Sequence, residues 1–148
     1  MTPFTDIYDL AVMDIKDYKL DKLAESDFNS FLLYLEGILV RAIYSFEGSA
    51  LQSLEYKANE SGEKVFVNEL TGSEKIILAD TMIMNWFSKN VNDATQINLR
   101  LQGRDKKTNA ESSNLKAKSE HLDRLREKLS QAINDYQLEG DNFMKIFG

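Results

Sequence analysis

Residues 70–87 read LTGSEKIILADTMIMNWF and join a helix-start signal to a long apolar helix. Thr71 and Glu74 have the spacing of a capping box, in which each side chain accepts a hydrogen bond from the other residue's backbone N–H. From Ile76 to Phe87 the apolar residues lie on nearly every side of the helix. A helix that is apolar all round is buried, so this stretch predicts the central element of a helical fold.

Two further long helices are predicted, one on each side of this element. Residues 27–46 place their apolar side chains on one face at 3.6 residues per turn, with Ser26 as the predicted N-cap. Residues 110–138 carry an apolar seam at intervals of seven, which suits packing along a bundle. The members of this seam are Leu115, Leu122, Leu129 and Tyr136. Shorter helical segments are predicted over residues 5–13 and 20–24.

Residues 54–67 have a different character, because two short stretches with β-forming residues flank the turn-rich residues 59–62. This pattern predicts a β-hairpin, which needs a surface to pack against. Residues 97–101 fit either a helix or a strand. The chain is therefore predicted to be mainly α, a bundle of about four helices with one hairpin-like excursion around residues 54–67.

A Gly-Asp-Asn sequence follows the last predicted helix. It predicts a break, with a single helical domain over residues 1–138 and a separate C-terminal tail over residues 139–148. The tail carries four bulky apolar residues, which either fold back onto the core or dock on another subunit. They are Phe143, Met144, Ile146 and Phe147.

Composition excludes several classes of site. The 148 residues include no Cys and one His, which excludes a disulfide framework, a thiolate zinc site, a cysteine nucleophile and a multi-histidine metal site. The net charge of −6 weighs against a general nucleic-acid binder, although residues 100–128 carry nine basic and five acidic side chains. The N-terminus lacks the pattern of a signal peptide, and no apolar run has the length of a membrane span. We therefore expect a cytoplasm-like compartment and no membrane association.

Few residues suggest chemistry. Asp80 lies within the most apolar helix, either as a buried acid with a raised pKa or, as the favoured interpretation, paired with a basic residue such as Arg41. His121 is interpreted as a surface residue of a charged helix, and the Met and aromatic residues 82–87 as core. A salt-bridged, solvated face is predicted for Asp14, Asp17 and Asp21. No catalytic residue, cofactor or metal is predicted.

Four features of the sequence together resemble the small neck proteins of tailed bacteriophages. They are the capped helix at residues 70–87, the NLRLQ stretch at 98–102, the polar loop at 104–109 and the seam helix. The resemblance covers about residues 28–136, in helix lengths and spacings, and identifies the family as that of head–tail connector, or adaptor, proteins. It implies a structural virion protein without catalytic residues. Such proteins form a ring, commonly of twelve copies, that joins the portal protein to other neck or tail proteins and lines the channel through which DNA passes.

This resemblance implies a location in the virion neck, with assembly in the host cytoplasm. The predicted partner-contact residues lie in the C-terminal tail, in the basic loop and in the hairpin; those outside the tail are Arg104, Lys106, Lys107, Tyr56 and Phe66. The alternative is a small cytoplasmic helical module that binds or regulates another protein without catalysis. A nuclease using Asp80 with other carboxylates ranks third.

Overall fold

The computed structural model describes residues 1–15, 18–101 and 108–147, and their side chains except those of residues 18, 94–101, 108–114 and 141–147. These residues form five helices and three short strands. In chain order the elements are β1 (Thr2–Pro3), α1 (Phe4–Val12), α2 (Tyr18–Ser26), α3 (Phe28–Glu47), β2 (Tyr56–Ala58), β3 (Lys64–Phe66), α4 (Gly72–Leu101) and α5 (Thr108–Phe147). The mainly α class with a β excursion is confirmed.

Helix α4 is the centre of the bundle, since it contacts α1, α3 and α5. Its side chains Leu78 and Met82 are completely buried. The predicted capping box is present: the Glu74 N–H donates to Thr71 Oγ1 at 3.2 Å, and the Thr71 N–H donates to Glu74 Oε1 at 2.8 Å. The helix runs on to Leu101, so residues 97–101 are helical.

Helix α3 supplies the second wall of the core and α2 packs against it. Its buried face is formed by Leu35, Leu39, Ala42, Ile43 and Phe46. The N-cap is Asp27, whose Oδ1 accepts a hydrogen bond from the Ser30 N–H at 3.2 Å. The prediction of Ser26 as the cap was wrong, because Ser26 is the last residue of α2 and its hydroxyl donates to the Lys22 carbonyl instead.

The predicted hairpin is present as the antiparallel pair β2 and β3, and Gly62 in its turn has a φ of 83°. The N-terminal strand β1 pairs antiparallel with the other side of β3, giving the order β1-β3-β2. The Phe66 ring packs against Phe4 of α1, with ring centroids 4.9 Å apart. The strand β1 and helix α1 thus provide the packing surface that the hairpin requires.

Helix α5 continues to Phe147, so the predicted break after Leu138 is absent. Gly140 lies inside α5, where an added Cβ would overlap the tip of the exposed Leu51 side chain. This glycine permits a close approach between α5 and the segment that follows α3 rather than ending the helix. Of the predicted seam, Leu122, Leu129 and Tyr136 are buried and Leu115 is half-buried.

A buried carboxylate ties α5 to the start of α4. Glu74, which is 1% exposed, accepts a hydrogen bond from the Tyr136 hydroxyl at 2.7 Å and one from the Gln52 side-chain amide at 2.5 Å. The Tyr136 hydroxyl in turn accepts a hydrogen bond from the Leu51 N–H at 2.8 Å. Burial, opposed by the Leu51 N–H and reinforced by Glu74, raises the pKa of Tyr136 to about 12. Because every one of these groups has a partner, the cluster is a structural joint rather than a reactive site.

Candidate functional site

A cavity of about 520 Å³ opens where the loop after α1, helix α4 and helix α5 meet. Its wall combines charged, aromatic and aliphatic side chains from all three parts. The lining residues are Asp14, Asp80, Ile83, Trp86, Phe87, His121, Leu125, Lys128 and Leu129. Its volume lies within the range of sites that hold small molecules or single side chains.

Asp80 gives this cavity its chemical character. It is half-buried in an otherwise apolar stretch of α4, between the buried residues Ala79 and Thr81. Burial raises the pKa of the Asp80 carboxyl, nearby Asp14 adds to the rise, and Lys128 opposes it. Among the residues that the structure describes, Asp80 has no hydrogen bond, and no cation lies within 4.0 Å of its carboxylate. Within the described part of the chain, the Asp80 carboxylate is therefore partly removed from water and lacks a direct counter-ion.

Aromatic rings form one side of the cavity. Trp86 and Phe87 are half-buried neighbours on α4, with ring centroids 6.3 Å apart. The imidazole of His121 on α5 meets the Phe87 ring edge-on, with centroids 5.0 Å apart and planes at 79°. This edge-on contact gives the imidazole a packing role in the wall of the cavity.

A second concave site lies on the other side of Trp86, between α3 and α4. This basic groove has a volume of about 300 Å³ and is lined by Leu33, Tyr34, Gly37, Ile38, Arg41, Asn85, Trp86 and Lys89. The Lys89 ammonium lies 5.7 Å from the centroid of the Tyr34 ring, within cation–π range. Two cations on the wall give this groove the opposite charge to the Asp80 cavity.

The predicted pairing of Asp80 with Arg41 was wrong. Arg41 lines the basic groove, whereas Asp80 faces the cavity that it shares with Lys128 and Asp14. Trp86 lines both sites, but Arg41 lines only the groove and Asp80 only the cavity. Periodicity gives the face of each helix and leaves open which neighbouring helix covers that face.

The predicted partner-contact residues have different outcomes. Phe66 is completely buried against Phe4, so the prediction of a partner contact there was wrong. Tyr56 is half-buried, with its ring 5.2 Å from Phe4 and the Lys64 ammonium 5.6 Å from its centroid, and it remains a predicted contact. The predicted basic-loop residues lie outside the described residues, as do the tail side chains; these are Arg104, Lys106, Lys107, Phe143, Met144, Ile146 and Phe147.

Sequence analysis missed the convergence of Asp80, Trp86, Phe87 and His121 at one cavity. The available signal was the spacing of Asp80, Ile83 and Phe87 at intervals of three and four on one helix face. Within the described ranges, no group of three or more acidic or histidine residues is arranged to hold a metal ion. No helix there combines the length and apolar character needed to cross a membrane.

Comparison of the chain with protein-family models, with curated proteins and with solved structures gives no match in any of the three.

Proposed function

We propose that the chain is a structural subunit of a tailed-phage neck, a ring-forming head–tail connector that joins the portal to the tail around the DNA channel. The connector resemblance of the sequence motivates the proposal, and the mainly α fold is compatible with it. The observation that carries it is a largely exposed apolar stripe along α3. A subunit that acts by shape and contact needs such a surface, whereas it needs no catalytic group.

The stripe is formed by Leu33, Gly37, Val40 and Tyr44, whose spacings of four, three and four place them on one helix face. Leu33 is 67% exposed and Tyr44 is 74% exposed. They lie on the side of α3 away from its buried residues, and concave sites adjoin the stripe at both ends. Large apolar side chains at this exposure favour burial against another protein surface.

Gly37 adds a second reason to treat the stripe as a contact. A glycine within a helix costs about 0.5–1 kcal/mol relative to alanine. An added Cβ at Gly37 meets no atom within 4 Å among the described residues, so the chain's own packing there does not require a glycine. A missing side chain in the middle of an apolar stripe permits the close approach of a neighbouring backbone.

In a ring, this stripe would face a different surface of the next subunit. Such heterologous contacts form a closed ring when the rotation from one subunit to the next is an integer fraction of a full turn. They then bury an apolar patch on every copy. The 40-residue helix α5 is about 60 Å long, so it extends along a large part of each subunit and suits contacts along the axis of an assembly.

The test compares Gly37→Ala with Gly48→Ala in sedimentation velocity, with and without the portal protein. Gly48 also has open space around it and a φ of −67° that alanine tolerates, so it is the matched control. Gly37→Ala should raise the stability of the subunit by about 0.5–1 kcal/mol and yet weaken assembly. Leu33→Glu should abolish assembly while the subunit stays folded.

Assembly of both stripe variants at the wild-type level would remove the stripe as the contact surface. A small closed dimer that is lost in Leu33→Glu and that ignores portal would instead favour the alternative, a helical protein-binding module.

A further inference from the structure

The Asp80 cavity offers a combination of groups that recognises organic cations. Among the described residues, its lining carries two carboxylates, from Asp80 and Asp14, and one cation, Lys128. On the described part of the wall, the two carboxylates outnumber the single ammonium. Because Asp80 is half-buried and makes no direct ion pair among the described residues, its negative charge is available to a group that enters the cavity.

The remaining surface of the cavity suits an apolar stem next to the charge. Ile83, Leu125 and Leu129 provide an aliphatic wall, and Trp86 and Phe87 provide aromatic rings. Aromatic rings attract ammonium and guanidinium groups, and long basic side chains bury their methylene stems along apolar surface. An inorganic cation has no apolar stem to place against this aliphatic wall, whereas an arginine-like group has one.

We propose that this cavity binds a guanidinium or alkylammonium group, with Asp80 as its anchor and the Trp86 and Phe87 rings against its stem. The group belongs either to a free organic cation or to an arginine or lysine side chain of a partner protein. Lys128 is the internal competitor, because its charge already acts on Asp80 from the cavity wall. The inference stands on this cavity alone and does not depend on the assembly of a ring.

The chain offers a direct readout, since Trp86 is its single tryptophan and lines the cavity. Nα-acetylarginine amide is titrated into the full chain while tryptophan fluorescence is followed, and acetylcitrulline amide serves as the uncharged probe of the same shape. We expect a saturable change with the arginine probe in the millimolar range, weakened by added NaCl, and none with citrulline.

Three variants assign the binding to the cavity. Asp80→Asn should weaken it about fivefold or more, and Lys128→Met should strengthen it about two- to fivefold because the competing charge is gone. Arg41→Gln is the matched control, because it changes the groove on the other side of Trp86 and should leave the affinity unchanged. If Lys128 and Asp80 acted only in packing, the two changes would not shift the affinity for the arginine probe in opposite directions.

A second probe distinguishes the two sources of the cation. If a free cation is the ligand, the amide and an acetylated Gly-Arg-Gly amide should bind equally; if a partner side chain is the ligand, the peptide should bind several-fold more tightly. Either result retains the cation site. The proposal is overturned if the arginine probe gives no saturable change, if citrulline binds as well, or if Asp80→Asn binds with wild-type affinity.

Discussion

Replacement of Tyr136 by phenylalanine tests how α5 is held to the bundle. The change removes one hydroxyl and with it two hydrogen bonds, one accepted from the Leu51 N–H at 2.8 Å and one donated to Glu74 Oε2 at 2.7 Å. A neutral hydrogen bond contributes about 1 kcal/mol and one to a charged group about 1.5–3 kcal/mol. Since Tyr136 is buried and Glu74 is almost completely so, little water replaces the lost partner. We therefore expect a loss of about 3 kcal/mol.

The assay is thermal unfolding followed by circular dichroism. For a chain of this size 1 kcal/mol corresponds to about 2–4 °C, so Tyr136→Phe should lower the Tm by about 6–12 °C. In the dissociated subunit Tyr44→Phe is the matched control, because Tyr44 is 74% exposed there and its hydroxyl makes no hydrogen bond within the described part of the chain. It should change stability by less than about 0.5 kcal/mol.

A double-mutant cycle with Glu74→Gln assigns the effect to the shared hydrogen bond. Residues that share a buried hydrogen bond couple by about 0.5–3 kcal/mol, so the two changes together should cost less than the sum of the two alone. The reasoning is refuted if Tyr136→Phe melts within about 2 °C of the Tyr44→Phe control. It is refuted equally if Tyr136 and Glu74 show no coupling.

Two further predictions concern Gly140 and Asp80. Gly140→Ala should leave the free energy of unfolding in urea unchanged or raise it by up to about 1 kcal/mol. The half-exposed Leu51 side chain can rotate away from the new methyl group, and alanine has the better helix propensity. A loss above about 2 kcal/mol would show that Leu51 cannot move. Burial raises the pKa of Asp80 in the folded protein, so the folded protein binds this proton more tightly than the unfolded chain does. The stability of the fold therefore rises as the pH falls from the raised pKa to the ordinary pKa. Asp80→Asn should therefore raise the Tm at pH 7, with a gain that shrinks towards the acid end of this interval.

The helices could be predicted because their signals are local. The Thr71–Glu74 capping box and the apolar run after it depend on neighbours within one turn, and the structure places both as predicted. The seam of α5 follows from spacing alone in the same way. The hairpin needed only a turn with a glycine, and Gly62 takes the positive φ there.

The errors arose where a residue's role depends on distant parts of the chain. Gly140 reads as a helix terminator by its type, but it lies inside α5 beside Leu51, a neighbour that is distant in sequence. The two-residue strand β1 has no signal of its own and exists because β3 offers it an edge. Phe66 was predicted to face a partner, but β1 and Phe4 cover it.

The candidate site depends still more on tertiary structure. Asp80, Trp86 and Phe87 are close in sequence, but His121 and Lys128 come from α5 and Asp14 from the loop after α1. Their meeting point is set by how three helices pack, which helix periodicity does not specify. The chemistry of the cavity therefore becomes visible only once the bundle is built.

The most direct test of the proposed connector is mass photometry of the purified chain, alone and mixed with the portal protein. Twelve subunits of 17.0 kDa would give a particle of about 200 kDa, and we expect either that ring or binding of multiple copies to the portal ring. A stable monomer or dimer that does not bind portal would contradict the proposal.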